Sequence, residues 1–115
     1  MKHFTETFEI KNLTPHQINI LDTEDVQIAS YPSDGIARVT VTRGEDLGGG
    51  LFGPQTFGEV TGLPAPQEGV IYVVSALVAA ACGGRKDVFS PSSLDMVRNE
   101  KGHVIGTRAL ACAGQ

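Results

Sequence analysis

The sequence predicts an α+β domain that is mainly antiparallel β-sheet, with about seven short strands and one or two short helices. Apolar and polar residues alternate along most of the N-terminal third, which is typical of half-buried strands. A β-branched run later passes directly into an alanine-rich one, which indicates a strand followed by a helix. The 115 residues suit a single domain, residues 1–115, with a glycine- and proline-rich loop at about residues 44–68.

The first four strands are predicted from alternation with a period of two. In FEIKNL, Phe8 and Ile10 alternate with Glu9 and Lys11. QINIL and DVQIAS follow, separated by the acidic turn DTED, and ARVTVTR alternates in the same way. The intervening YPSDG is predicted to turn, because proline fixes φ and glycine accepts a positive φ.

Residues 44–68 are predicted to form loop or hairpin structure around one short strand near Thr56–Val60. The glycines of residues 48–53 have the letters of the dinucleotide-binding fingerprint G-x-G-x-x-G. That fingerprint requires a helix to follow, and Pro54 follows instead without any helical pattern. We therefore predict a loop here.

The most apolar run of the chain is VIYVVSALVAAAC, Val70–Cys82. It is shorter than the roughly 20 residues that a membrane-spanning helix needs. We predict a central buried strand at Val70–Val74 and a short helix at Ala76–Cys82, with Ser75 as the N-cap and two glycines as the stop signal. The rest of the chain predicts an extended piece at DVFSP, a strand at Leu94–Arg98, and a last strand HVIGTRALA after the turn NEKG.

The net charge of −4 argues against a nucleic-acid polymer as partner. The second half of the chain is nevertheless slightly basic, which suits a small anionic ligand and equally suits a solvated surface. The N-terminal MKHFTETFEI has no apolar signal segment, so we expect a cytoplasmic protein without a membrane partner. Cys82 and Cys112 are expected to be reduced thiols.

Catalytic and metal motifs are not found in the sequence. The histidines His3, His16 and His103 have no metal-ligand spacing, and no serine lies in a nucleophile elbow. We therefore predict no catalytic residue, no metal and no cofactor.

A binding site is suggested by the residue types of the segment 85–108. Guanidinium groups bind phosphates, an aromatic ring stacks on a base, and asparagine pairs with a base edge. The start of the helix that follows Ser75 adds backbone N–H groups suited to an anion. The alternative is that the aromatic ring is core and the arginines are surface. The residues concerned are Arg85, Lys86, Phe89, Arg98, Asn99 and Arg108.

Several motifs resemble, in the same order, those of a family of small phage proteins, the first Thoeris anti-defence family. They are NLTPHQINIL, PSDGIARV, FGEVTGLPAPQEGVIYVVSALVAAA, RKDVFSP and RNEKGHVIGTRAL, and they span Asn12 to Leu110. The glycine-rich insert at residues 44–55 departs from this pattern by its length.

The resemblance implies a sponge that sequesters, without cleaving it, a cyclic ADP-ribose-type signal made by a bacterial TIR-domain immune protein. It implies a homodimer or higher homo-oligomer in the host cell cytoplasm during infection, and a separate site for cyclic di- or trinucleotides in some members. The ligand-binding residues that it implies are Phe89, Asn99, Arg108 and Arg38.

Two other functions are compatible with the sequence. A small enzyme that cleaves cyclic nucleotides would need a general base, for which His16, His103, Asp87 and Asp95 are the candidates. A phage accessory module would bind another protein through a sheet edge or through residues 44–68.

Overall fold

The computed structural model describes residues 8–113. Within these residues the protein is mostly β-sheet, with twelve strands, one short α-helix and a single 3₁₀ turn at Ser93–Asp95. The strands are β1 (Glu9–Asn12), β2 (Ile18–Leu21), β3 (Gln27–Tyr31), β4 (Arg38–Thr42), β5 (Asp46–Gly48), β6 (Leu51–Phe52), β7 (Thr56–Thr61), β8 (Val70–Val73), β9 (Val88–Pro91), β10 (Met96–Arg98), β11 (Val104–Thr107) and β12 (Leu110–Cys112); the helix α1 is Ala76–Ala81.

Two four-stranded sheets form the body of the protein. The central sheet has the order β1-β8-β9-β12, and the second sheet has the order β10-β11-β2-β3. The pairs β1–β8, β8–β9 and β2–β11 are parallel, whereas β9–β12, β10–β11 and β2–β3 are antiparallel. The prediction of mostly β-structure with a short helix is confirmed, but the sheets are mixed rather than mainly antiparallel.

The strand number was also underestimated, for two physical reasons. The glycine-rich stretch predicted as loop contains the short hairpin β5–β6, whose turn is made by glycines with positive φ at positions 48, 49 and 50. The run HVIGTRALA, predicted as one strand, is divided at Arg108. Its first half pairs in the second sheet and its second half in the central sheet.

The strand and helix predicted from the apolar run are confirmed. Strand β8 is buried along its whole length. Helix α1 begins after Ser75, whose hydroxyl accepts a hydrogen bond from the N–H of Val78 at 3.3 Å, and it ends at the C-cap Cys82. The composition changes from β-branched residues to alanine at this junction, so local propensity and tertiary structure agree.

The central sheet has two different faces. On one, Tyr72, Val74 and Val88 are completely buried beneath α1 and the hairpin β4–β7; we call this the sealed face. The other carries buried residues of β8 together with Ile10 and Phe89, which are only half-buried, and it faces the second sheet; we call this the open face. The alternation of side chains along β8 and β9 produces both faces from the same strands.

No helix among the described residues is long and apolar enough to cross a membrane.

Candidate functional site

A cavity of about 440 Å³ lies between the open face and the second sheet; we call it the inter-sheet cavity. Its volume falls within the range of about 300–1,000 Å³ that is usual for small-molecule sites. The residues that line it are Ile10, Ile20, Ile28, Ala29, Tyr31, Ile71, Phe89, Arg108, Ala109 and Leu110.

Apolar side chains form the two walls of the cavity. Ile10, Ile71 and Phe89 are contributed by three adjacent strands of the central sheet. Ile20 and Tyr31 are contributed by the paired strands β2 and β3 of the second sheet. Because strand side chains alternate, each of these residues is directed to the side on which the sheets face each other.

A buried amide holds the two sheets in this arrangement. Asn12, at the end of β1, is fully buried and donates hydrogen bonds to the carbonyl oxygens of His16 and Tyr31, at 2.7 and 2.8 Å. Its side-chain oxygen accepts from both the backbone N–H and the hydroxyl of Thr14. All of its polar capacity is thus used, and the backbone of Tyr31 is fixed beside the cavity.

Arg108 supplies the only positive charge among the described residues that line the cavity. It lies where the chain passes from β11 in the second sheet to β12 in the central sheet. Its Nε donates to the carbonyl oxygen of Asp22 at 3.3 Å, and its Nη2 pairs with the carboxylate of Asp25. The guanidinium is therefore held at the rim of an apolar cavity.

Two of the four predicted ligand-binding residues, Phe89 and Arg108, line the same cavity. Asn99 is not among its lining residues, and its side-chain oxygen accepts hydrogen bonds from the backbone N–H groups of Lys101 and His103. This oxygen stabilises the turn into β11. The Asn99 side-chain amide group donates no hydrogen bond within residues 8–113.

Arg38 lies on the far side of the central sheet from the inter-sheet cavity. It is exposed on β4, opposite Thr61 in the hairpin β4–β7. Its neighbour Val39 packs against the core of the sealed face, so alternation directs Arg38 away from the body of the protein. A single chain does not bring Arg38 and Phe89 to one site.

Tyr31 is a lining residue that is not among the binding residues predicted from the sequence. In the sequence Tyr31 stands at the start of the predicted turn YPSDG, because Pro32 follows it. The available signal was its position at the end of an alternating strand, two residues from Ala29, which lines the same wall.

Arg85 and Arg98, which the sequence grouped with the site, have structural contacts instead. Arg85 forms an ion pair with Asp87 at 2.6 Å and donates to the carbonyl oxygen of Pro64. The hydrogen bond from Arg85 lowers the pKa of the Asp87 carboxyl, and the same bond raises the pKa of Arg85. Arg98 donates to the carbonyl oxygen of Gly102 at 2.8 Å.

The described residues that line the cavity include no carboxylate, imidazole or thiol. His16, His103, Asp87 and Asp95 all lie elsewhere. Across residues 8–113, no group of three or more His, Cys, Asp or Glu side chains could hold a metal ion. The buried Cys82 thiol has a raised pKa, mainly because burial disfavours its thiolate.

The start of helix α1 offers little to an anion. The helix has only six residues, and the Ser75 hydroxyl already occupies the N–H group of Val78. The anion contact that the sequence suggested at this helix therefore lies outside the candidate site, and the geometry favours the inter-sheet cavity.

No protein family, no curated protein and no solved structure matches the chain.

Proposed function

We propose that the protein is a phage anti-defence sponge that binds a cyclic ADP-ribose-type signalling nucleotide and sequesters it without cleavage. The observation that carries the proposal is the meeting of Phe89, Tyr31 and Arg108 at one cavity. Aromatic side chains suit the base of such a ligand, and a guanidinium suits its phosphates. The sponge would act in the host cytoplasm, where a TIR-domain immune protein makes the signal.

The composition of the lining supports binding rather than cleavage. Hydrolysis of a phosphodiester or glycosidic bond needs a positioned general base or a metal-bound hydroxide. The described lining residues include no carboxylate, imidazole or thiol that could serve as that base or hold that metal. The ligand would therefore be held intact.

The proposal includes a homodimer or a higher homo-oligomer, because a sponge needs tight binding and enclosure strengthens binding. Arg38 and Asn99 would then reach the ligand from a second copy. A further site for cyclic di- or trinucleotides would lie between copies in a higher oligomer. Light scattering at micromolar concentration is expected to give more than the 12.1 kDa of one chain; a monomer at that concentration would contradict the shared site.

The proposed activity is tested by binding and release. The protein is incubated with cyclic ADP-ribose isomers, separated from free ligand and denatured by heat, and the released compound is identified by mass spectrometry. Recovery of the intact cyclic compound is expected. A chemically altered product would establish the alternative, an enzyme that cleaves cyclic nucleotides.

The role of the cavity is tested by two substitutions and a matched control. Phe89→Ala and Arg108→Ala are each expected to weaken binding by roughly ten- to a hundredfold, since stacking is worth about 1–3 kcal/mol and charged hydrogen bonds are worth a similar amount. Arg43→Ala removes an exposed arginine that does not line the cavity and is expected to leave affinity unchanged. Equal losses in all three variants would exclude a specific role for the cavity.

A second candidate function, a protein–protein interaction module, is favoured by exposed residues in the hairpins β5–β6 and β4–β7. Leu47, Leu51, Phe52 and Phe57 are large apolar side chains that remain exposed there. Phe52 is also covered by the guanidinium of Arg43, 4.4 Å from the ring centre. If none of the cyclic nucleotides tested raises the melting temperature of the protein, the result would favour the interaction module over the sponge.

A further inference from the structure

Asp25 lies in a tightly organised turn beside the inter-sheet cavity. The Asp22 carboxylate accepts hydrogen bonds from the backbone N–H groups of Glu24 and Val26, at 2.8 and 3.0 Å. The backbone groups of Asp22 and Val26 also bond to each other, at 2.9 Å. Among the described non-glycine residues, Asp25 alone has a positive φ, of 63°, which aspartate tolerates better than most side chains.

This turn is attached to the rim of the cavity through Arg108. The guanidinium donates from Nε to the Asp22 carbonyl and from Nη2 to the Asp25 carboxylate. Both side chains of the ion pair are partly exposed, 38% for Arg108 and 50% for Asp25, so solvent and ligand can reach them. The turn thus places a fixed negative charge against the one cation at the cavity.

We propose that Asp25 is an internal competitor for anionic ligands at Arg108, and so sets the affinity of the site. The inference depends on the proposed function, because it assumes that a phosphate binds Arg108. A ligand phosphate must either displace the Asp25 carboxylate or bind beside it, against like-charge repulsion. Asp25 therefore lowers affinity for every anion and makes ligand binding less sensitive to salt.

The structure offers a substitution that separates charge from position. Asp25→Asn keeps an oxygen that accepts from Nη2, and asparagine is well tolerated at a positive φ. Glu24→Gln is the matched control, because Glu24 carries the same charge in the same turn but forms no ion pair within residues 8–113. The probe is cyclic ADP-ribose, titrated by calorimetry at two salt concentrations.

We expect Asp25→Asn to bind the probe about three- to tenfold more tightly than wild type at low salt, a modest gain because the pair is exposed and screened. The gain should shrink at high salt, and Glu24→Gln should bind like wild type. Binding by the variant when wild type binds too weakly to measure would also support the proposal.

Two results would overturn the inference, and they are distinguishable. If wild type binds in an Arg108-dependent way while Asp25→Asn binds equally or more weakly, Asp25 positions Arg108 rather than competing for it. The proposed function then stands. If neither wild type nor Asp25→Asn binds cyclic ADP-ribose, the inference fails together with the proposed function.

Discussion

The two faces of the central sheet are built from the same strands but differ in how completely they are covered. On β9, Val88 belongs to the sealed face and is fully buried, whereas the adjacent Phe89 belongs to the open face and is half-buried beside a cavity. The sealed face is closed by a helix and a hairpin of the same chain. The difference indicates that the sealed face contributes mainly to stability, whereas the open face also borders a cavity.

The largest expected effect tests whether β8 is the buried centre of both faces. Val73→Asp places an uncompensated carboxylate at a position that is only 1% exposed, and we expect the domain to unfold. Circular dichroism would show the loss of a cooperative melt. Leu94→Asp, at a position that is 94% exposed, is the control and should melt like wild type. A stable, cooperative Val73→Asp protein would show that β8 is not central.

A pair of neighbouring substitutions compares the two faces directly. Val88→Ala is expected to lower the free energy of unfolding by about 2 kcal/mol, because it removes buried methyl groups and leaves a cavity. Phe89→Ala is expected to cost less stability than the roughly 3–5 kcal/mol typical of a core phenylalanine, and to weaken ligand binding instead. Both are measured by denaturant unfolding and titration. A full core penalty at Phe89 with unchanged affinity would assign it to the core.

A smaller effect of opposite sign is expected at Tyr72. Its hydroxyl is buried on the sealed face and has no hydrogen-bond partner among the described residues. Tyr72→Phe removes this unsatisfied group and should raise the free energy of unfolding by about 1 kcal/mol. Tyr31→Phe, on the half-buried wall of the cavity, should change stability by less than about 0.5 kcal/mol. A destabilised Tyr72→Phe protein would mean that the hydroxyl has a favourable contact.

The smallest expected effect concerns acid stability at the Arg85–Asp87 ion pair. The hydrogen bond from Arg85 lowers the pKa of Asp87 in the folded state. Its stabilisation is therefore complete above the ordinary carboxyl pKa of about 3.9 and is lost as the pH falls through the lower folded value. Asp87→Asn should flatten this acid branch by less than about 1 kcal/mol, since the pair is partly exposed. Arg85→Ala should flatten it equally; an unchanged slope in both would exclude the linkage.

Much of the fold could be predicted because local signals agree with the tertiary structure. Strands β1 to β4 follow from their alternation, and β8 with α1 follows from the change of composition at Ser75. The parallel pairing of β1 with β8 carries no local signal, because it depends on which distant segments meet. The division of the last strand at Arg108 has the same cause: both halves alternate, and only the separation of the two sheets divides them.

The candidate site was predictable only in part, for a related reason. Phe89 and Arg108 stand in motifs whose residue types suit a nucleotide, and they meet at the cavity. Tyr31 reaches the same cavity through the pairing of β3 with β2, and Asp25 reaches Arg108 across the gap between distant segments. The spacing of residues along the sequence predicts neither the position of Tyr31 at the cavity nor the pairing of Asp25 with Arg108. Arg38 and Asn99 remain predictions that depend on a second copy of the chain.

The long-range pairings also constrain how the chain can reach its folded state. Glu9 cannot pair with Val70 until the chain has grown to residue 70, and Ile20 cannot pair with Thr107 until nearly the whole chain exists. At a synthesis rate of roughly 5–20 residues per second, the early strands wait seconds on the ribosome with only their local hairpins formed. Topologies dominated by such distant contacts fold slowly, over roughly milliseconds to seconds. The appearance of active protein would therefore be limited by maturation of the complete chain as well as by its synthesis.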